Sequence, residues 1–324
     1  MKYKPHDHII KPSTRDFIRE ARRARDYSLF DFLHGYFYAR WPYLYIGVGV
    51  GEHPLIRILS PIATITARLF NRPANGDKKA GDGPEDYQDF KHTVADTYHG
   101  KVVPLESARQ LVTVNEAIDL PDLEQVIPYS RARDIILRNP DHIVALECPC
   151  RAARENPCLP LDVCLIIGEP FAGFVMEHHS ERARWISPQE ATEILEAEDE
   201  RGHVHHAFFK DAMLDRFYAI CNCCSCCCGA MQAQRNGSPM LISSGYIAQV
   251  DEDLCIGCGT CAAFCQFEAM SVPNGHVIVD VTLCMGCGVC VNKCEQEALS
   301  LHRDLTKSEP LEIVTLQELI PQNR

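Results

Sequence analysis

Two stretches near the C-terminus, "LCIGCGTCAAFCQFEAMS" (254–271) and "LCMGCGVCVNKCEQEALS" (283–300), are copies of one another. Every cysteine of the first copy recurs in the second after a shift of 29 residues, as from Cys255 to Cys284, and two glycines, a glutamate and a serine recur with the same shift. The chain therefore contains an internal duplication that keeps four cysteines in register.

Each copy has the spacing Cys-x2-Cys-x2-Cys-x3-Cys, which is typical of 4Fe–4S ligation. Three thiolates separated by two residues can surround one cubane, and the fourth then reaches the other cluster. The glycines between the cysteines let the backbone approach the cluster closely. Zinc would need a four-ligand site within each copy, which the cross-copy pattern makes improbable. We assign one cluster to Cys255, Cys258, Cys261 and Cys294, and the other to Cys284, Cys287, Cys290 and Cys265.

Short β-prone segments flank the two copies: "YIAQVD" before the first, "HVIVD" between them and "ALSLH" after the second. With the cysteines, this arrangement resembles a bacterial-type dicluster ferredoxin over residues 246–303. The resemblance implies a βαββαβ unit with two 4Fe–4S clusters. The family usually has proline after the fourth cysteine, where this chain has Gln266 and Glu295. The difference affects the expected potentials and solvent exposure of the clusters.

Ten further cysteines lie upstream, in "ECPCRAARENPCLPLDVCLIIG" (147–168) and "CNCCSCCCG" (221–229). In an extended chain the second segment would present 221/223/227 on one face and 224/226/228 on the other, whereas a helix would align 221, 224 and 228. Either geometry predicts two metal centres, or one centre with spare buried thiols. The candidate ligands are Cys148, Cys150, Cys158, Cys164, Cys221, Cys223, Cys224, Cys226, Cys227 and Cys228.

The sequence is compatible with more than one kind of metal centre at these ten cysteines. They suffice for two cubanes, with two thiols to spare, or for a non-cubane cluster with five thiolates, and Arg151 or Arg154 can offset cluster charge. One or two further iron–sulfur clusters are favoured because a dicluster unit follows in the chain, and zinc is the alternative. The upstream CPCR and later CNCCxCCC patterns also resemble a group of bacterial iron–sulfur proteins over residues 125–303, which implies a cluster-rich redox role.

The middle of the chain alternates helical and strand-like patterns. Ser187 is a natural N-cap, with Glu190 completing a capping box, for a helix that ends at Gly202. A second helix is predicted over 127–140, with Ala132, Ile135 and Ile136 facing inward. The strand-like segments include "HIVALE", "CLIIG" and "HVHHAFF", so this domain is expected to be mixed α/β. His205 and His206 are candidate ligands or proton carriers, although edge-strand histidines without such a role are more common.

The N-terminal region has a basic helix followed by nine aromatic residues within 27–45. Buried core positions explain most such aromatics, and a docking surface for a partner protein or the membrane interface is the alternative. The glycines at 47, 49 and 51 miss the dinucleotide spacing. Residues 71–86 are rich in glycine, proline and charge and are interpreted as a linker.

Composition limits the classes of partner and compartment. The formal net charge of -12 disfavours nucleic acid, since phosphate binding needs a basic surface. The N-terminus has no signal-peptide h-region, and no apolar run of about twenty residues exists, so a spanning helix is not expected. A chain of 324 residues with 18 cysteines is then expected to be a cytoplasmic metal protein with free thiols.

These observations predict an α+β protein in five parts: a helical, aromatic-rich region (1–70), a linker (71–86), a cysteine-rich α/β domain (87–240), a dicluster 4Fe–4S ferredoxin domain (246–303) and a tail (304–324). The expected function is single-electron transfer to a redox partner protein or complex, typical of anaerobic metabolism. The first alternative is an oxidoreductase whose middle domain holds a catalytic cluster. A zinc-bearing scaffold is the least favoured hypothesis.

Overall fold

A computed structural model describes residues 10–24, 27–51 and 95–319. The proposed linker, 71–86, lies outside these residues. Three helices form the described N-terminal part: α1 (Pro12–Ala21), α2 (Leu29–Arg40) and α3 (Pro42–Gly49). Ser28 caps α2, because its hydroxyl accepts a hydrogen bond from the Asp31 amide while the Asp31 carboxylate accepts one from the Ser28 amide.

A largely antiparallel sheet of eight strands lies at the centre of the described chain. Its strands are β1 (Tyr98–Val103), β2 (Ile118–Leu120), β3 (Ile135–Leu146), β4 (Cys164–Glu169), β5 (Ala183–Ile186), β6 (Val204–Lys210), β7 (Arg216–Cys223) and β8 (Leu241–Ile242). The spatial order is β2-β3-β4-β7-β6-β1-β8, β5 also pairs with β3, and only the β1–β8 pair is parallel. Five helices accompany these strands: α4 (Leu105–Thr113), α5 (Pro149–Ala152), α6 (Phe171–His178), α7 (Pro188–Glu200) and α8 (Gly229–Arg235).

Both faces of the sheet are buried, and alternate residues of each strand enter different cores. Ile143 and Ala145 of β3 pack with α4 and α7, whereas Val144 and Leu146 pack with α1, α2 and α6. This alternation follows from the two-residue period of a strand. The second face also carries the cysteine-containing loops, so these loops lie between the sheet and the N-terminal helices.

The segment 127–140 is not the helix that the sequence predicts. Residues 128–133 form an irregular loop, Ala132 has a φ of 52°, and Ile135 begins β3. Ile135 and Leu137 are buried with Ile136 less so, which is the alternation of a strand. Pairing with β2 and β4 outweighs local helix propensity here. Pro140 is tolerated because it lies where the β3–β4 register shifts.

The predicted helix after Ser187 is present as α7, and the Ser187 side chain accepts a hydrogen bond from the Glu190 amide. The Glu190 carboxylate, however, pairs with Arg184 of β5. The capping box is therefore replaced by an ion pair to the neighbouring strand.

The C-terminal region is a small α+β unit with the order strand, helix, strand, strand, helix, strand. Its elements are β9 (Tyr246–Val250), α9 (Thr260–Phe264), β10 (Met270–Ser271), β11 (Ile278–Val279), α10 (Val289–Asn292) and β12 (Leu299–Arg303), and α11 (Ile313–Leu319) follows. Strand β9 pairs with β12, and β10 pairs with β11. None of the described helices has the length and hydrophobicity that a membrane span requires.

Candidate metal centres

The duplicated cysteines surround two small cavities of about 20 Å³ each. The first is lined by Cys255, Cys258, Cys261 and Cys294, with apolar walls from Val277 and Leu299 among others. The second is lined by Cys265, Cys284, Cys287 and Cys290. Each cavity thus gathers three cysteines of one copy and the fourth cysteine of the other, which is the cross-copy grouping expected from the spacing.

The backbone repeats the duplication as closely as the sequence does. Gly257 and Gly286 occupy equivalent positions with φ values of 68° and 64°. A Cβ at Gly257 would lie 2.0 Å from the Gly275 carbonyl oxygen, and one at Gly286 would lie 2.2 Å from that of Tyr246. Only glycine permits both this conformation and this approach. The loops around the two cavities therefore require these residues.

The second cavity also receives backbone hydrogen bonds on its cysteines. The Ala248 amide donates to Cys284 Sγ at 3.4 Å, and the Ala269 amide donates to Cys265 Sγ at 3.3 Å. Burial raises the pKa of Cys287 to about 12. A metal cluster must therefore displace the Cys287 proton when it binds, and amide donors of this kind stabilise the resulting thiolates.

The family model described as a 4Fe-4S binding domain matches residues 248–271 and 277–300. The C-terminal region is a 4Fe–4S binding region with two repeats. The match agrees with the dicluster ferredoxin resemblance and supports the expected 4Fe–4S clusters. No curated protein matches the chain in sequence.

The ten middle cysteines separate into two groups. Four of them, Cys158, Cys224, Cys226 and Cys227, have sulfur atoms that all lie within 4.8 Å of one another. Cys158 and Cys226 are the closest pair at 3.3 Å, and Cys226 and Cys227 are 3.7 Å apart. We call these four cysteines the four-thiol site.

The spacing of the four-thiol site fits a single tetrahedral ion. Metal–sulfur bonds of about 2.3 Å place the ligands of such an ion about 3.8 Å apart. A cubane spreads its four thiolates further, because each binds a different iron. The cysteines of the ferredoxin cavities accordingly form no group this tight among the described residues. At this site, then, geometry favours the zinc alternative, or one iron, over a further cubane.

The remaining six cysteines form a second group, which we call the six-thiol ring. They are Cys148, Cys150, Cys164, Cys221, Cys223 and Cys228, and all six belong to one apolar cluster on the second face of the sheet. The division between the two groups differs from both the extended and the helical expectation. The reason is that the segment is a strand as far as Cys223, then a turn, and becomes a helix after Cys228.

Two arginines near the CPCR loop contact these groups. Arg154 donates to the Cys227 carbonyl at 3.1 Å and to Gln232. Arg151 is 1% exposed, and its Nη2 donates to Glu198 Oε2 at 2.6 Å and to the Asn222 carbonyl at 2.9 Å. Burial would raise the pKa of Glu198, but hydrogen bonds from His203 and Arg151 lower it below its usual value. The pair is therefore charged, and it anchors the backbone between Cys221 and Cys223.

The two candidate histidines lie in β6 and point to opposite faces. His205 Nδ1 lies 2.6 Å from Asn222 Oδ1 of the neighbouring strand β7, and this hydrogen bond fixes the orientation of the His205 ring. His206 is opposite Cys221 in the β6–β7 register, so these two side chains share a face. His206 is fully buried, and neither of its ring nitrogens has a hydrogen-bond partner among the described residues.

Sequence reasoning missed Gln266 as a contact residue. It follows Cys265, a cysteine of the second cavity, and its Oε1 accepts a hydrogen bond of 2.9 Å from the Ser225 amide. Its Nε2 donates to the Gly202 carbonyl at 3.0 Å. Because Ser225 lies between Cys224 and Cys226, one side chain joins the second ferredoxin cavity to the four-thiol site. The absence of the usual proline was the available signal.

Proposed function

We propose that this chain is an electron-transfer protein in which two 4Fe–4S clusters carry single electrons between a redox partner and the cysteine-rich middle domain. The eight duplicated cysteines are the proposed ligands, in the two sets that line the cavities. The observation that carries the proposal is the position of the second cavity, which faces the middle domain. In this proposal the clusters supply the redox chemistry, while the protein holds them, buries them and positions them.

The two cluster sites differ in exposure. At the first, Cys261 is buried, but Cys258 is exposed and Ile256, which also lines the cavity, is 68% exposed. At the second, Cys284 and Cys290 are buried at 7% and 8% exposure. An external partner can therefore approach the first site closely and the second only through the protein.

The second site is covered by the middle domain through a small apolar cluster. Val289 packs with Val102 of β1 and Val204 of β6, and Cys287 packs against the same cluster. Polar contacts surround it, since Asn292 Nδ2 donates to Asp199 Oδ2 at 2.9 Å. This packing supports a path for the electron. It would pass from the partner to the first site, then to the second site, and from there to the middle domain.

Two surfaces are available for the partner. One is the apolar patch of Leu254 and Ile256 beside the first site. The other lies on α2, where Leu29 and Phe30 are 74% and 76% exposed. We assign the redox partner to the first, because it lies beside a cluster site, and reserve the α2 surface for attachment to a larger complex or a membrane surface.

Anaerobic redox titration with EPR detection tests this proposal. We expect about eight iron atoms in the C-terminal region and two cubanes that each accept one electron reversibly. Ile256→Glu should slow reduction by a protein donor at least tenfold and leave reduction by dithionite unchanged. Val281→Glu is the matched control, because Val281 is also half-exposed but does not line the first cavity. Cubanes that do not cycle reversibly would overturn the proposal.

A catalytic cluster in the middle domain is the second candidate. One observation favours it: the six-thiol ring borders a cavity of about 80 Å³ with walls from Tyr38, Tyr98 and Tyr218. An enzyme of this kind needs an iron without a thiolate ligand beside such a space. Infrared bands from carbon monoxide added to the reduced protein would support this candidate, and their absence would favour the electron carrier.

A further inference from the structure

We propose that the six-thiol ring holds a polynuclear iron–sulfur cluster larger than one cubane, distinct from the four-thiol site. The inference rests on the proposed function, because it takes iron–sulfur clusters to be the cofactors of this chain. It adds a third cluster, with named ligands, inside the middle domain.

The ring is built from four elements that the fold brings together. Cys148 and Cys150 lie at the start of α5, Cys164 begins β4, Cys221 and Cys223 end β7, and Cys228 is the residue before α8. The β4–β7 register places Cys164 directly opposite Cys221. Two paired strands and two helix starts thus point their thiols at one space.

The six thiols face one space. All six cysteines line the same cavity and belong to the same apolar cluster. Cysteines from three separate chain segments therefore form one set.

The ring is too wide for a single ion. Within the described residues, which include all 18 cysteines, no three of these six sulfur atoms lie within 4.8 Å of one another. The eight cysteines of the ferredoxin cavities share this property, and the four-thiol site does not. By this measure the ring resembles the cubane sites.

The cavity beside the ring gives the expected size of the core. The ring, together with Cys224 and Cys227 of the four-thiol site and apolar neighbours such as Ile166 and Phe208, lines about 80 Å³, against about 20 Å³ at each ferredoxin site. A zinc–thiolate cluster bridges its ions with the cysteine sulfurs themselves, whereas an iron–sulfur core brings inorganic sulfide that fills space between the thiols. A fourfold larger space and six thiols fit a core of more than four irons.

The surroundings can stabilise the negative charge of such a core. Arg151, buried beside Cys150, is a fixed cation within the loop. His206 lies beside Cys221 with both ring nitrogens unpartnered among the described residues, so it is available as a further ligand or as a hydrogen-bond donor.

Paired variants test this assignment. After anaerobic reconstitution with iron and sulfide, we expect Cys164→Ala/Cys221→Ala to lose more than about four iron atoms per chain, together with sulfide. The matched variant Cys158→Ala/Cys226→Ala should lose one metal ion and no sulfide. A ring variant that keeps its full iron and sulfide would overturn the proposal, and a loss of four irons or fewer would contradict the larger core.

A second variant covers the case in which the double alanine variant fails to fold. Cys223→Ser preserves volume, and we expect it to change the EPR and Mössbauer signals of the third cluster while the two ferredoxin signals remain. Unchanged spectra would count against the ring. If the ferredoxin cubanes are not reduced and reoxidised reversibly, the proposed function is wrong. The iron and sulfide count of the ring variants would still test the third cluster.

Discussion

Replacing Gln266 by alanine should loosen the contact between the ferredoxin region and the turn that follows β7 in the cysteine-rich segment 221–229. The side chain accepts a hydrogen bond from the Ser225 amide and donates one to the Gly202 carbonyl. Both bonds are partly buried and cross from one region to the other. Alanine removes both and leaves the Ser225 amide without this acceptor.

The expected magnitude follows from two hydrogen bonds. Each contributes about 1 kcal/mol net, so the local contact should weaken by about 2 kcal/mol, or roughly 30-fold in its opening equilibrium. Hydrogen–deuterium exchange of peptides covering residues 224–228 measures this directly. The Ser225 amide should exchange about 30-fold faster in Gln266→Ala.

The duplication provides a matched control. Glu295 holds the position equivalent to Gln266 in the second copy but is exposed. Glu295→Ala should therefore leave exchange at Ser225 unchanged. If both variants accelerate exchange equally, or if neither does, the bridging role assigned to Gln266 is wrong.

Three further perturbations have defined outcomes. Arg151→Met removes the buried cation from the Glu198 carboxylate, which keeps its contacts with Arg201 and His203, and should destabilise the protein by about 3–5 kcal/mol in denaturant unfolding; the added change Glu198→Gln should restore most of this loss. Burial lowers the pKa of Lys101 in the folded chain to about 7, whereas an unfolded lysine has a pKa of about 10.4. Between these two pH values the unfolded chain therefore binds more protons than the folded chain. Lys101 should then contribute a rise in stability of about 2 kcal/mol from pH 7 to 9, measured as the difference between the native protein and Lys101→Met, since burial also lowers the pKa of Lys210 to about 8. Gly202→Ala should lower the melting temperature, because φ is +79° and the new Cβ would lie 2.4 Å from Phe264 Cδ1, whereas Gly51→Ala has the same strain and meets no atom of the described residues within 4 Å.

The cluster sites at the C-terminus could be predicted from sequence because their geometry is local. All eight cysteines lie within two copies of one short segment, and each copy forms the same loop. The cross-copy grouping is a consequence of the three-residue gap before the fourth cysteine, which places that cysteine at the end of the following helix. Nothing distant in the chain is needed to position these ligands.

The middle cysteines depend on pairing that their own segment does not encode. Cys164 meets Cys221 because β4 and β7 are neighbours in that register, and no periodicity within 221–228 can show it. The same reason explains the missed first half of β3. The local sequence over 127–140 favours a helix, and pairing with β2 and β4 makes the residues from Ile135 onward a strand.

The crowding of cysteines in 221–228 has a structural cause in the position of this segment at the end of a central strand. Cys221 and Cys223 lie in β7 and join the ring, the turn that follows directs Cys224, Cys226 and Cys227 to the four-thiol site, and Cys228 returns to the ring at the start of α8. Ser225, in the same turn, contacts Gln266 of the ferredoxin region. A segment of eight residues thus contacts three proposed metal sites. The ring, the four-thiol site and the docked ferredoxin region therefore meet at this one piece of backbone.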